Sequence, residues 1–193
     1  MKIGVLGLQG AFIEHIAMLK RLGAETVDVR LPGELDDLGG LIIPGGESTT
    51  ISKLMRDFKF TGKVKRLGEA GFPIFGTCAG MIMMANRVTD NTIEPLGLMN
   101  MTVNRNAFGR QVDSFEADIP IPVLGEKPFP CVFIRAPIVE GVGDEVEVLA
   151  RLPNGSIVAA KQGNLLALAF HPELTADTRF HQYFLDIAAG KVK

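Results

Sequence analysis

Apolar positions in the first half of the chain fall into two alternating rhythms. Residues 3–8 (IGVLGL) form a continuous apolar run, short enough to be a strand buried on both faces. Phe12, Ile16, Leu19 and Leu22 then recur at spacings of four, three and three, one face of a helix, with Gly23 placed to end it. Residues 26–29 predict a second strand and residues 41–43 (LII) a third, which stops at Pro44-Gly45-Gly46 because that tripeptide demands a turn. Ser48, Thr49 or Thr50 is expected to cap the next helix, whose apolar face is Ile51, Leu54, Met55 and Phe58. A further helix around residues 64–70 ends at Gly71, and Pro73-Ile74-Phe75 is the fourth strand. Buried strands alternating with amphipathic helices predict an α/β fold, an open and mostly parallel sheet flanked by helices.

From residue 98 to 170 the pattern is β-rich. Apolar segments at 131–134, 146–149 and 165–170 are separated by turns such as Pro153-Asn154-Gly155, and are expected to extend the same sheet as mixed or antiparallel strands. A final helix over 175–189, with Phe180, Phe184 and Ile187 on one face, is expected to close against the sheet. No stretch has linker composition and no repeat is visible, so residues 1–193 read as a single domain.

Composition narrows the function. A chain of 193 residues, 47% hydrophobic, buries a continuous core without disulfide or metal staples. A net charge of −2 offers no basic footprint for nucleic acid. No apolar run approaches the length of a membrane span and no signal-peptide pattern precedes the first strand, so the expected setting is soluble and cytoplasmic, with no membrane partner. The two cysteines, Cys78 and Cys131, lack metal-ligand spacing, and no metal site is expected.

Cys78 lies in Gly76-Thr77-Cys78-Ala79-Gly80, between the fourth strand and an apolar helix. This is the cysteine version of a nucleophile elbow, in which flanking glycines let the backbone turn sharply under an exposed nucleophile. The helix N-terminus behind the sulfur favours the thiolate, and the Ala79 N–H is placed to donate to an oxyanion. Cys131, inside an apolar run, reads as a core thiol. Of the three histidines, His15 and His181 lie within helical periodicity and read as packing residues. His171 follows a buried-looking strand in His171-Pro172-Glu173, where an extended backbone would place Glu173 on the same side to orient the ring. Gly45-Gly46-Glu47-Ser48 lacks Walker spacing and reads as a source of further oxyanion N–H groups and substrate contacts. Arg105, Arg110 and Arg135 are candidates for a substrate carboxylate, and spacing alone does not choose among them.

Together, the elbow at Cys78, His171-Pro172-Glu173 and Pro44-Gly45-Gly46-Glu47-Ser48 resemble the class I (triad) glutamine amidotransferases, with their flavodoxin-like fold. Residues 3–10 (IGVLGLQG), Gly45-Gly46-Glu47-Ser48-Thr49-Thr50, residues 104–111 (NRNAFGRQ) and Phe133-Ile134-Arg135-Ala136-Pro137 resemble, more narrowly, the family of glutaminase subunits of pyridoxal 5′-phosphate synthase. The resemblance implies a Cys78, His171, Glu173 triad that hydrolyses L-glutamine without a cofactor. It implies glutamine contacts from Gly46, Glu47, Ser48, Arg105, Ile134 and Arg135. It also implies an oxyanion hole from Ala79, Gly46 and Gly10, with the Gln9-Gly10 peptide completing it when a barrel-shaped synthase subunit docks in a large hetero-oligomer and receives the ammonia. Two other readings share the elbow: a glutaminase serving another ammonia-using synthase, and a cysteine peptidase or stress-response protein of similar fold.

Overall fold

The computed structural model describes residues 1–90, 92–105 and 114–192, and in it the four apolar runs of the first half become parallel neighbours. β1 (Lys2–Leu6) leads to α1 (Phe12–Arg21) and β2 (Glu25–Val29); β3 (Gly40–Ile43) to α2 (Ser48–Asp57) and α3 (Phe60–Glu69); β4 (Ile74–Thr77) to the short α4 (Ala79–Met84). β5 (Ala85–Val88) and β6 (Met99–Asn104) follow, then β7 (Ser114–Ile119), β8 (Phe129–Ile134), β9 (Ile138–Val142), β10 (Glu147–Arg151), β11 (Ile157–Gln162), β12 (Leu165–Leu168) and α5 (Arg179–Ala188).

The main sheet runs β2-β1-β3-β4-β12-β11-β9-β6-β5, with β10 paired to β11. The strands from β2 to β12 in that order are parallel, whereas β11 and β9 run antiparallel to their neighbours. Every residue of β3, β4 and β12 is buried, which is why these strands read as unbroken apolar runs instead of alternating ones. Because β4 and β12 are adjacent, with Thr77 opposite Leu168, the segments leaving their carboxyl ends emerge side by side. That edge of an open α/β sheet is where groups from separate strands converge.

Four expectations are corrected. Cys131 to Ile134 does not join the main sheet: β7 and β8 form a separate two-stranded ribbon. In β8 burial alternates, with Phe129, Cys131 and Phe133 inward and Ile134 39% exposed, so this apolar run buries one face only. The ribbon is fastened by aromatic rings: Phe129 meets Phe180 edge-on at 4.8 Å, and Phe170 lies 5.4 Å from Phe133 and 5.6 Å from Phe180. The final helix starts at Arg179, not 175, because the Thr175 hydroxyl donates to the Pro172 carbonyl and the Asp177 carboxylate accepts from the Arg179 N–H, holding the intervening chain in turns. The helix foreseen around residues 64–70 begins earlier, at Phe60, which is fully buried. The cap of α2 is Glu47, not Ser48, Thr49 or Thr50: its carboxylate accepts from the Thr49 and Thr50 N–H groups at 3.1 and 2.8 Å.

Candidate active site

Cys78 sits between β4 and α4 with φ 48° and ψ −103°, a conformation that L-residues avoid. The glycines on either side are sterically required. A Cβ on Gly76 would fall 2.6 Å from the Gly80 carbonyl carbon, and one on Gly80 would enter the Ile43 carbonyl oxygen. Strand pairing then pins the elbow, since the Cys78 N–H donates to the Leu168 carbonyl of β12 at 2.8 Å.

His171 leaves the end of β12 just after the Phe170 ring is wedged into the aromatic cluster, and its N–H donates to the Val132 carbonyl of β8 at 2.8 Å. Its Nδ1 is 2.7 Å from Glu173 Oε1. The pairing arises differently from the sequence expectation: Pro172–Leu174 is a 3-10 turn headed by His171, so Glu173 reaches back through a tight turn and not along an extended strand. Burial opposes charge on His171, but hydrogen bonding to Cys78 and Glu173 and the negative charge of both push it up to about 10. With the Glu173 carboxylate on Nδ1, the ring presents its other nitrogen to the sulfur.

Behind the triad lies a set of polar groups with no solvent contact. His15 of α1 is fully buried, its Nε2 3.0 Å from Thr77 Oγ1 and 3.4 Å from Glu173 Oε2, and its Nδ1 2.9 Å from His181 Nε2 of α5. Thr77 Oγ1 also accepts the Gly45 N–H at 3.0 Å. Burial brings His15 below its ordinary pKa, with Glu173 opposing, and burial together with His15 lowers His181 further, so both rings are neutral. Both point into the interior from their helices, as their periodicity suggests. Their contact with the triad carboxylate is not visible in the sequence, although His15 lies on the same helical face as Phe12 and Leu19, which places it inside.

A cleft of about 610 Å³ opens in front of Cys78 and His171, a volume suited to a small polar substrate. Gly45 forms its floor beside both residues: a Cβ there would lie 2.9 Å from His171 Nδ1 and 3.2 Å from the Cys78 Cβ. Gly46, Glu47, Ser48, Arg105, Ile134 and Arg135, all expected at the site, do line this cleft, with Gly10. Arg135 adopts φ 43°, a second strained non-glycine residue facing the same space. Two details go beyond the sequence expectation. The Gln9 side chain accepts the Glu47 N–H at 2.9 Å while the Ala11 N–H donates to the Gly45 carbonyl, knitting the β1 and β3 turns together. Arg105 pairs with Asp90 at 3.3 Å and approaches Glu47 at 3.8 Å, so the cation is held at the rim by carboxylates of this chain. Ala79 heads α4 directly after the sulfur. Residues 106–111 of the resemblance, Arg110 included, lie outside the described residues. Cys131 is buried in β8, and desolvation with nearby Asp118 pushes its thiol up to about 12. Among the described residues no cluster of His, Cys, Asp and Glu could hold a metal ion, and no helix is long and apolar enough to cross a membrane.

Residues 5–189 match the model of the SNO glutamine amidotransferase family. The pyridoxal 5′-phosphate synthase subunit PdxT of Pelotomaculum thermopropionicum is 58% identical over 193 residues, covering 99% of this chain and 98% of the relative. The PdxT of a Dehalococcoides mccartyi strain is 57% identical, with 97% of both chains covered. A crystal structure of a glutamine amidotransferase superposes with a TM-score of 0.91 at 50% identity, covering 97% of this chain and 98% of the other. The structure of PurLQS from Thermotoga maritima shares the fold at a TM-score of 0.68 and 19% identity, covering 96% of this chain and 97% of the other. The chain belongs to the SNO glutamine amidotransferase family.

Proposed function

We propose that this chain is the glutaminase subunit of a pyridoxal 5′-phosphate synthase, hydrolysing L-glutamine to L-glutamate and ammonia at Cys78 and passing the ammonia to a synthase subunit. The observation that carries the reading is a strained Cys78 elbow beside a His171–Glu173 pair at the base of a cleft of about 610 Å³.

The chemistry follows from the geometry. The Cys78 sulfur, as thiolate, attacks the side-chain carboxamide carbon of glutamine, and the carbonyl π electrons move to oxygen. N–H groups of Gly10, Gly46 and Ala79 receive that oxyanion. His171, charged and steadied by Glu173, gives its proton to the departing nitrogen as the C–N bond breaks, releasing ammonia and a glutamyl thioester. The now neutral His171 removes a proton from water, which attacks the thioester; the C–S bond breaks and glutamate leaves. Arg105 and Arg135, at the rim, bind the α-carboxylate of the substrate, and Gly46, Glu47, Ser48 and Ile134 contact the remainder.

Free ammonia in neutral water is protonated and loses its nucleophilicity, which is the physical reason for a docked, barrel-shaped synthase that takes it up under cover. The whole chain acts as one glutaminase unit in the cytoplasm. Affinity capture with the tagged chain from its own cell extract tests the partner: recovery of a subunit that makes pyridoxal phosphate from ammonia and sugar phosphates is expected, and recovery of a different ammonia-using synthase would reassign it.

A further inference from the structure

Outside the catalytic pair, the most unusual feature of the interior is the buried set of His15, His181, Thr77 and Glu173. All four side chains are wholly inaccessible. Glu173 Oε1 is engaged by His171, whereas Oε2 makes no hydrogen bond and has His15 Nε2 in front of it at 3.4 Å. A desolvated carboxylate oxygen needs a donor or a positive charge nearby.

Proton placement discriminates between the two ring arrangements. If His181 Nε2–H donates to His15 Nδ1, then His15 carries its own proton on Nε2, aimed at Thr77 Oγ1 and Glu173 Oε2, and the unpartnered His181 Nδ1 is a bare lone pair. The opposite arrangement leaves His181 with a buried N–H lacking an acceptor and turns a lone pair of His15 toward the carboxylate. Repulsion between that lone pair and the desolvated carboxylate favours the first arrangement.

We propose that His15 is a positioning residue for the triad: its Nε2–H, fixed in tautomer by His181, holds Glu173 in the orientation that aims the His171 ring at Cys78. The inference rests on the triad reading of Cys78, His171 and Glu173. Thr77 extends the same support to the substrate side, since the hydroxyl beside His15 also anchors the Gly45 turn.

The test compares His15→Gln with His15→Asn in the full chain, with its synthase partner present and glutamate release as the readout. A glutamine amide nitrogen reaches the position of Nε2 and preserves the donor toward Glu173; an asparagine amide reaches only the position of Nδ1. H15Q is expected to keep kcat within about threefold of the parent. H15N is expected to lose roughly ten- to hundredfold in kcat, with KM for glutamine within about twofold and the alkaline limb of the pH profile moved to lower pH. Equal kcat in the two variants, whether both high or both low, overturns the proposal. A third variant, His181→Phe, keeps a ring in place and removes the donor that sets the tautomer; it is expected to lose roughly three- to tenfold in kcat, and parental kcat would contradict the inference. Cys78→Ala, run in parallel, separates the two levels: activity surviving in C78A means that the triad reading has failed, and not the role of His15.

Discussion

His171 Nδ1 and Glu173 Oε1 are joined by a 2.7 Å hydrogen bond across a single proline. The turn that joins them starts three residues beyond Leu168, whose carbonyl holds the Cys78 backbone. The nucleophile and its acid–base partner are thus placed by the pairing of two neighbouring strands, so changes in the turn, the elbow or the groups behind Glu173 have separable consequences.

Charge on Glu173 is what the turn delivers. Glu173→Gln preserves shape and removes the charge, and it is expected to lower kcat by roughly 10²–10⁴-fold with a small change in KM, measured by glutamate release. A kcat within threefold of the parent would remove Glu173 from the triad.

The His171 pair also sets a pH dependence. Burial opposes the charge on His171, yet Cys78 and Glu173 raise it to about 10 from an ordinary value of 6.5. A raised folded-state pKa contributes stability that is fully present below pH 6.5 and is lost as pH rises through about 10. Urea unfolding of the parent against His171→Gln should show an advantage for the parent near pH 6 that shrinks progressively between pH 7 and 10.

Selective alkylation should separate the two cysteines. The Cys131 thiol, at about 12, stays protonated in neutral buffer, whereas Cys78 faces the cleft beside His171. Brief treatment with iodoacetamide at pH 7.5, read by peptide mass spectrometry, is expected to modify Cys78 and leave Cys131 untouched; preferential labelling of Cys131 would reverse the assignment of roles.

The elbow has a steric cost that substitution exposes. Gly80→Ala forces a methyl group against the Ile43 carbonyl of β3 and is expected to destabilise the protein by about 2–4 kcal/mol in urea unfolding, with loss of glutaminase activity in the fraction that folds. Stability within about 0.5 kcal/mol of the parent would mean that the turn relaxes freely.

Much of this architecture is legible in the sequence because its signals are local. Buried parallel strands leave unbroken apolar runs, and the elbow needs Gly76 and Gly80 within five residues of each other. The misreadings also have local causes. Cys131 to Ile134 resembles a core strand because Val132 and Ile134 are apolar even though they sit on the outward side of a ribbon that covers one face only. Glu47 is not an obvious cap because shorter side chains usually serve there, although its carboxylate reaches both N–H groups. His15, Thr77 and His181 come from α1, β4 and α5, and only the packing of those elements brings them together behind Glu173. No spacing rule connects residues 166 positions apart.

The most direct test of the central claim is the Cys78→Ala chain assembled with its synthase and assayed twice for pyridoxal phosphate, once with glutamine and once with ammonium salts. Cys78 as the glutaminase nucleophile predicts no product from glutamine and parental product from ammonium. Product formed from glutamine by the variant would contradict the account, as would loss of the ammonium-supported reaction by an intact complex.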